Sequence, residues 1–275
     1  MNVGYGILIL LAVIQGLTEF LPVSSSGHLA IVETLLGLRG PGAKPGIVLE
    51  VAVHVGTLGA VVVYYRKRLL RLCTALVSLV RFGRGGYVAH RDEMGYIGLV
   101  IVATIPAAVV GVLFGGSVVR AFDSAAVVSV LLVATGLYLL VSRLRTAPRK
   151  LTWRSALVVG LAQAIAILPG CSRSGWTITT GLLLGLGFAQ AAEFSFIMSI
   201  PAIIGALVLE LAKERFALTA GAGLHLITGA AVAFLAGWIA LRLLIGILSR
   251  GELHRFSYYL LPAGIAAFVY FRFFG

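Results

Sequence analysis

Val13-Ile-Gln-Gly-Leu-Thr-Glu-Phe-Leu-Pro-Val-Ser-Ser-Ser-Gly-His28 begins apolar, breaks at a proline and three serines, and closes on a histidine. A second stretch repeats the plan: Gly160-Leu-Ala-Gln-Ala-Ile-Ala-Ile-Leu-Pro-Gly-Cys-Ser-Arg-Ser-Gly-Trp176. At a constant offset of 148, Gln15 aligns with Gln163, Ser24 with Ser172, Ser26 with Ser174 and Gly27 with Gly175; Pro22 and Pro169 miss that register by one. Two interrupted apolar segments at matching positions of two halves point to a binding site between the repeats of a membrane protein.

The rest of the chain agrees. Its 275 residues are 60% hydrophobic and 12% charged, too few charges to cover a soluble protein of this size. Apolar stretches recur at 47–65, 96–119, 125–141, 191–211, 224–248 and 256–274, and about 20 such residues span a bilayer as a helix. In lipid the backbone must satisfy its own hydrogen bonds, and runs this rich in Leu, Ala, Val and Ile do so as helices. The stretch 3–14 lacks a basic leader and runs directly into the first interrupted segment, so it is not read as a cleaved signal.

Each interrupted segment is too short on either side of its break to span, so both read as re-entrant hairpins, each followed by three spans. The expected fold is an all-α integral membrane protein with six transmembrane helices and two re-entrant helical hairpins in an inverted repeat. It is a single membrane domain over 1–275, with halves of about 1–145 and 150–275.

The net charge of +12 does not signal nucleic acid, because of where it sits. Arg66, Lys67, Arg68, Arg71, Arg81, Arg84 and Arg91 cluster in one inter-span stretch, and Arg143, Arg145, Arg149, Lys150 and Arg154 in another. The positive-inside rule makes both cytoplasmic. Both termini then lie outside, the first hairpin enters from outside and the second from the cytoplasm. The external connections carry only Arg39, Lys44, Arg120, Lys213 and Arg215 as positive charge. The stretch 66–95, with Gly83, Gly85 and Gly86, is expected as a mobile basic loop. Cys73 and Cys171 form no disulfide framework or metal-ligand spacing.

Gln15 and Glu19, four apart, stack on one helical face. After Pro22 come Ser24, Ser25, Ser26 and Gly27, and His28 is expected to open a helix reaching about Leu36. Ser25 and His28 are three apart, a spacing that lets an imidazole approach a hydroxyl and activate it, or supply an acid to a leaving oxygen. In the second break Ser172, Arg173 and Ser174 precede a helix expected to start near Trp176. Arginine's planar fork fits phosphate oxygens, and helix N-termini favour anions. Small hydroxyl residues alone would be ordinary helix packing. Glu19 and Arg173 are different, since an ionisable side chain at bilayer depth costs at least about 2.5–3.5 kcal/mol and is functional by default; a purely structural ion pair is the alternative. Glu50 shares a helical face with His54 and Glu193 lies near Ser195 at the start of the fourth span; Glu50 and Glu193 read as cavity-lining or capping residues, Pro106 and Pro201 as kinks, and the aromatics 256–259 as an interfacial belt.

On the motifs Gln15-Gly-Leu-Thr-Glu19-Phe-Leu-Pro-Val-Ser-Ser-Ser-Gly-His28 and Pro169-Gly-Cys-Ser-Arg-Ser-Gly175-Trp-Thr177, the chain closely resembles the undecaprenyl-diphosphate phosphatase family associated with bacitracin resistance. The likeness extends over essentially the whole chain. It implies hydrolysis of the terminal phosphate of undecaprenyl diphosphate to give undecaprenyl phosphate for cell-wall synthesis, in the bacterial plasma membrane, at a site open to the outer face. It also implies a divalent cation, Mg²⁺ or Ca²⁺, held by Glu19. Ser25, His28 and Glu19 then carry catalysis, while Arg173, Ser172, Ser174, Ser26, Gln15 and Thr177 bind substrate. Gln15 stands where the family carries Glu or Gln, and Ser26 where many members carry Thr. Ser25, His28 and water all remain open as the nucleophile. The partners expected are the polyprenyl diphosphate and the bilayer, not nucleic acid, and a homodimer is one assembly open to the chain. Two rival readings are a lipid transporter, whose architecture often has broken helices in inverted repeats, and an intramembrane Ser–His protease, which gives no reason for Arg173 and Glu19.

Overall fold

The computed structural model describes residues 4–38, 47–144, 146–213 and 222–274, and among them every regular element is helical. In order these are α1 (Tyr5–Phe20), α2 (Ser25–Leu35), α3 (Ile47–Tyr64), α4 (Arg66–Phe82), α5 (Arg84–Ala89), α6 (Arg91–Phe122), α7 (Ala125–Val141), α8 (Trp153–Ile165), α9 (Arg173–Leu183), α10 (Phe188–Lys213), α11 (Ala222–Ser249) and α12 (Ser257–Phe273). Five helical stretches are long and apolar enough to cross a membrane: Arg91–Gly116, Ala125–Leu144, Phe188–Leu209, Gly223–Ser249 and Leu253–Phe273. A shorter apolar helix, Glu50–Tyr64, lies within α3. Large apolar side chains such as Leu113, Leu235 and Phe273 point outward, as a lipid-facing surface requires. The chain is a multi-pass membrane protein. Of the charges used to orient it, Arg39, Lys44, Arg145 and Arg215 lie outside the described residues, as do the side chains of Arg120 and Lys213.

The stretch 66–95 departs from expectation, because it is folded rather than a loop. Leu72 and Ala75 are buried on one side of α4, while Arg66, Lys67, Arg71 and Arg81 are exposed. Gly83, with φ 54°, ends the helix and turns the chain into α5. There Gly86 sits so close to α4 that a Cβ would fall 2.1 Å from the Ser78 carbonyl oxygen. At the start of α4, Tyr64, Tyr65, Arg66, Lys67, Arg68 and Arg71 line a cavity of about 250 Å³. Arg68 crosses from it to Glu193 on α10 (3.1 Å) and lies over the Tyr96 ring (4.4 Å). Glu193 is thus the ion-pair partner of Arg68, beside the start of α4.

The helices pair across the two halves. α11 packs on α1 and α3, α6 packs on α8 and α10, and α7 packs on α12. Small residues let the axes approach, which is how membrane helices gain van der Waals contact. A Cβ at Gly56 would fall 2.2 Å from the Ala230 carbonyl oxygen of α11, and one at Gly160 would fall 2.4 Å from that of Ala103 on α6. These are backbone atoms and cannot move aside alone. Gly56→Ala is therefore expected to lower stability by about 1–3 kcal/mol, as overpacking does, read as a lowered melting temperature in detergent. An unchanged melting temperature would contradict the close α3–α11 contact. The main apolar cluster, with Phe20, Leu132, Ile178, Phe196 and Leu241, brings together α1, α7, α9, α10 and α11.

Candidate active site

Both breaks are built the same way. Ser24 caps α2, its hydroxyl accepting the Gly27 N–H at 3.3 Å, and lies 3.3 Å from the Ser26 hydroxyl. Ser172 caps α9, accepting the Gly175 N–H at 3.2 Å, and lies 3.2 Å from the Ser174 hydroxyl. An N-cap hydroxyl satisfies an amide that the first helical turn leaves without a partner. The caps start both helices earlier than expected, at Ser25 rather than His28 and at Arg173 rather than Trp176. One difference matters: Ser24 has φ 70° and ψ 98°, whereas Ser172 has φ −72° and ψ 116°. Ser24 is the one non-glycine residue with positive φ among the described residues, a conformation that costs on the order of 1–3 kcal/mol.

The two turns lie against each other. The Ser174 hydroxyl donates to the Leu21 carbonyl at 3.3 Å. A Cβ on Gly27 would sit 3.0 Å from the Gly170 Cα and 3.0 Å from Leu132. Leu132 is the eighth of seventeen residues in α7, so the turns meet near the middle of a helix long enough to cross a membrane.

Glu19 is the hub. It is buried, and three groups reach its carboxylate. Gln15 Nε2 donates to Oε2 at 3.0 Å, Ser25 Oγ donates to Oε2 at 2.5 Å, and Arg173 Nη2 donates to Oε1. Ser25 and Arg173 are equivalent under the 148-residue repeat, one from each turn, and both bind the same carboxylate. Arg173 thereby supplies the positive charge that balances the buried Glu19.

His28 stands apart from this hub. One ring nitrogen, Nδ1, lies 2.8 Å from the Ser24 carbonyl oxygen, and the other, Nε2, lies 2.8 Å from the Tyr259 hydroxyl. With both nitrogens engaged and Ser25 bound to Glu19, the Ser25–His28 contact that their spacing allows is not formed. The remaining candidates divide by exposure. Ser25, Ser26, His28 and Arg173 are half-buried, whereas Gln15, Ser172, Ser174 and Thr177 are buried. Thr177 is engaged inside, donating to the Arg173 carbonyl at 2.7 Å and lying 2.6 Å from the Ser195 hydroxyl.

Residues 8–266 match the family described as Bacitracin resistance protein BacA. The chain is 41% identical over 256 residues to an undecaprenyl-diphosphatase of Syntrophotalea carbinolica, covering 91% of this chain and 93% of that protein. It is 43% identical over 260 residues to one of Rubrobacter xylanophilus (91% and 92%). A protein of the same name from Korarchaeum cryptofilum is 38% identical over 259 residues (94% and 96%). The chain belongs to the BacA family.

For a BacA protein, the donors around Glu19 suit a hard cation. Among the described residues no group of three or more His, Cys, Asp or Glu side chains gathers to hold a metal. The Glu19 carboxylate has Ser25 Oγ at 2.5 Å, and Gln15, which turns its amide nitrogen to that carboxylate, keeps an Oε1 buried without a hydrogen-bond partner. One carboxylate with neutral oxygens matches the way Mg²⁺ is held jointly by a protein and a substrate's phosphates.

Two residues that hold the candidate site, Thr135 and Tyr259, escaped the sequence reading, and a third, Tyr138, packs behind it. Thr135 on α7 donates to the Gly170 carbonyl (2.9 Å) and accepts from Ser172 N–H (3.3 Å) and Trp176 Nε1–H (3.2 Å), so it fastens the second turn. Tyr138 stacks on Trp176 with ring centres 4.3 Å apart. Tyr259, read as part of an aromatic belt, is the partner of His28. A threonine inside an apolar span was the one available signal, and it resembles ordinary helix packing.

Proposed function

We propose that this chain is an undecaprenyl-diphosphate phosphatase of the bacterial plasma membrane. The observation that carries the proposal is the convergence of Ser25 and Arg173, from two matched turns, on the buried Glu19. A hydroxyl held by a carboxylate beside a guanidinium is a nucleophile, its base and a phosphate clamp. The names of the relatives agree with that chemistry.

The finer architecture belongs to the same proposal. α1–α2 and α8–α9 are re-entrant hairpins, and α3, α6, α7, α10, α11 and α12 are the six spans of an inverted repeat. The matching caps support it, as does the mirrored pairing of α1 with α11 and of α8 with α6. The basic ends lie in the cytoplasm and the site opens to the outer face. The polyprenyl tail lies along grooves between spans, which is why such a site belongs in a membrane.

In the mechanism we favour, Arg173 and the free N–H groups at the start of α2 and α9 take the diphosphate. Ser25 Oγ attacks the terminal phosphorus as Glu19 accepts its proton. The bond to the bridging oxygen breaks, and undecaprenyl phosphate leaves. Water then attacks the phosphoserine, His28 serving as acid or base, and inorganic phosphate departs with Ser25 restored. Ser26 lies at the half-buried rim with these groups, while Ser172, Ser174, Thr177 and Gln15 support the turns and the carboxylate that meet the phosphates. A divalent cation, if bound, would be held by Glu19 and would supply charge neutralisation on the diphosphate.

Purified protein in detergent is expected to release phosphate from undecaprenyl diphosphate, to stop in EDTA and to recover with Mg²⁺ or Ca²⁺. Ser25→Ala is expected to lose at least about 10³-fold, the scale set by removing an acting nucleophile. Retained turnover in Ser25→Ala would move the nucleophile to water or His28. No release by folded wild-type protein under any metal condition would favour a lipid carrier over an enzyme.

A further inference from the structure

We infer that Tyr259 is a positioning residue for His28, reaching across from the last helix of the second half to hold the imidazole of the first turn. The inference rests on the proposal that His28 serves the phosphatase reaction. A carbonyl oxygen only accepts hydrogen bonds, so the 2.8 Å contact with Ser24 places a proton on His28 Nδ1. In the neutral ring Nε2 is then the basic nitrogen, and it accepts the Tyr259 hydroxyl at 2.8 Å. The two rings are close to parallel, with centres 5.7 Å apart and planes at 19°. When Nε2 gains a proton, the same hydroxyl turns and accepts. Tyr259 therefore keeps a partner on the ring in both protonation states, which a group that carries a proton through a cycle requires.

The repeat supplies an internal control. Trp176 stands 148 residues after His28 and stacks on Tyr138 of α7, with planes at 17°. Each turn thus sets an aromatic ring against a tyrosine from the other half. In the Trp176 pair the tyrosine hydroxyl bypasses its ring partner and lies 2.8 Å from the Thr180 hydroxyl. In the His28 pair it meets a ring nitrogen. The first turn also departs from its twin at Ser24, whose positive φ accompanies a carbonyl shared between the His28 N–H (3.1 Å) and Nδ1. Stacking alone explains the second pair; the first is built around the protonation of an imidazole.

Tyr259→Phe removes one hydroxyl and keeps the ring. In detergent, with undecaprenyl diphosphate as substrate, it is expected to lower kcat about tenfold, leave KM unchanged, and leave the melting temperature within a degree or two of wild type. In ¹⁵N-histidine-labelled protein it is expected to shift the His28 ring nitrogens, assigned with His28→Gln, and none of the other four histidines. Tyr138→Phe, the packing counterpart, is expected to stay within twofold in kcat and to leave the His28 signals in place. Unchanged kcat in Tyr259→Phe, unmoved His28 signals, or an equal loss in Tyr138→Phe would each overturn the inference. An inactive wild type would instead count against the phosphatase reading, and the nitrogen spectrum would still decide whether Tyr259 holds His28.

Discussion

Arg173→Ala is expected to release phosphate from undecaprenyl diphosphate on the order of 10³-fold more slowly than wild type, or not measurably. Groups aimed at charge that develops on a transferred phosphoryl group are worth about 10²–10⁵ in rate, and Arg173 is the cation that reaches the hub from the second turn. Its side chain is 19% exposed, against 7% for Glu19, so the pair is screened little by water and the guanidinium retains an open side. Arg173→Lys is expected to recover only a small part of the loss, since a point charge does not replace the fork. The truncation has a second consequence. Glu19 would be left buried and unpaired, and breaking such a pair costs about 3–5 kcal/mol. Fold and chemistry separate in the double variant Glu19→Gln/Arg173→Ala, which is expected to regain melting temperature without regaining turnover. If stability and activity returned together, Arg173 would be a structural counter-ion and nothing more.

Much of this was legible because it is local. Gln15 and Glu19 are four apart, and the bond between them follows from helical geometry. The repeat aligned Ser24 with Ser172 and Gly27 with Gly175, and the matching capping bonds follow from that alignment. The pairing of Glu19 with Arg173 was legible from cost, since neither charge belongs at bilayer depth without a partner. The misreadings have equally specific causes. Pro22 and Pro169 mark where helices stop, but nothing local separates the capping serines that restart them at Ser25 and Arg173 from ordinary turn residues. Ser25 and His28 have a permissive spacing, but Glu19 draws the hydroxyl across the turn and Ser24 turns its carbonyl toward the ring. Arginines and glycines masked the buried stripe of Leu72 and Ala75 in α4. Tyr259 lies 231 residues from His28, and no local pattern connects a belt tyrosine to an imidazole in the first turn.

The second large effect belongs to a residue with no side chain. Gly170→Ala is expected to prevent the second turn from assembling, giving little folded protein and, in what survives, no phosphate release. Two independent constraints meet there. The backbone has φ 98°, where an L side chain is strained. A Cβ would also fall 2.5 Å from the Val128 carbonyl oxygen, 2.8 Å from the Leu131 Cβ and 3.1 Å from the Leu132 amide nitrogen. All three belong to α7, which cannot yield locally without disturbing its contacts with α9 and α12. The Gly170 carbonyl is held by Thr135, and that same hydroxyl receives the Ser172 amide and the Trp176 indole. Displacing Gly170 therefore displaces the cap of α9, and with it Arg173, the first residue of that helix. Because Gly27 of the first turn packs on the Gly170 Cα, the shift would reach Ser25 as well. Thr135→Val is the milder probe of the same chain of contacts: it keeps volume, removes the hydroxyl and should lower activity while leaving the protein folded. Wild-type melting temperature and turnover in Gly170→Ala would show that the two turns do not meet as described, and the convergence of Ser25 and Arg173 on Glu19 would lose its support.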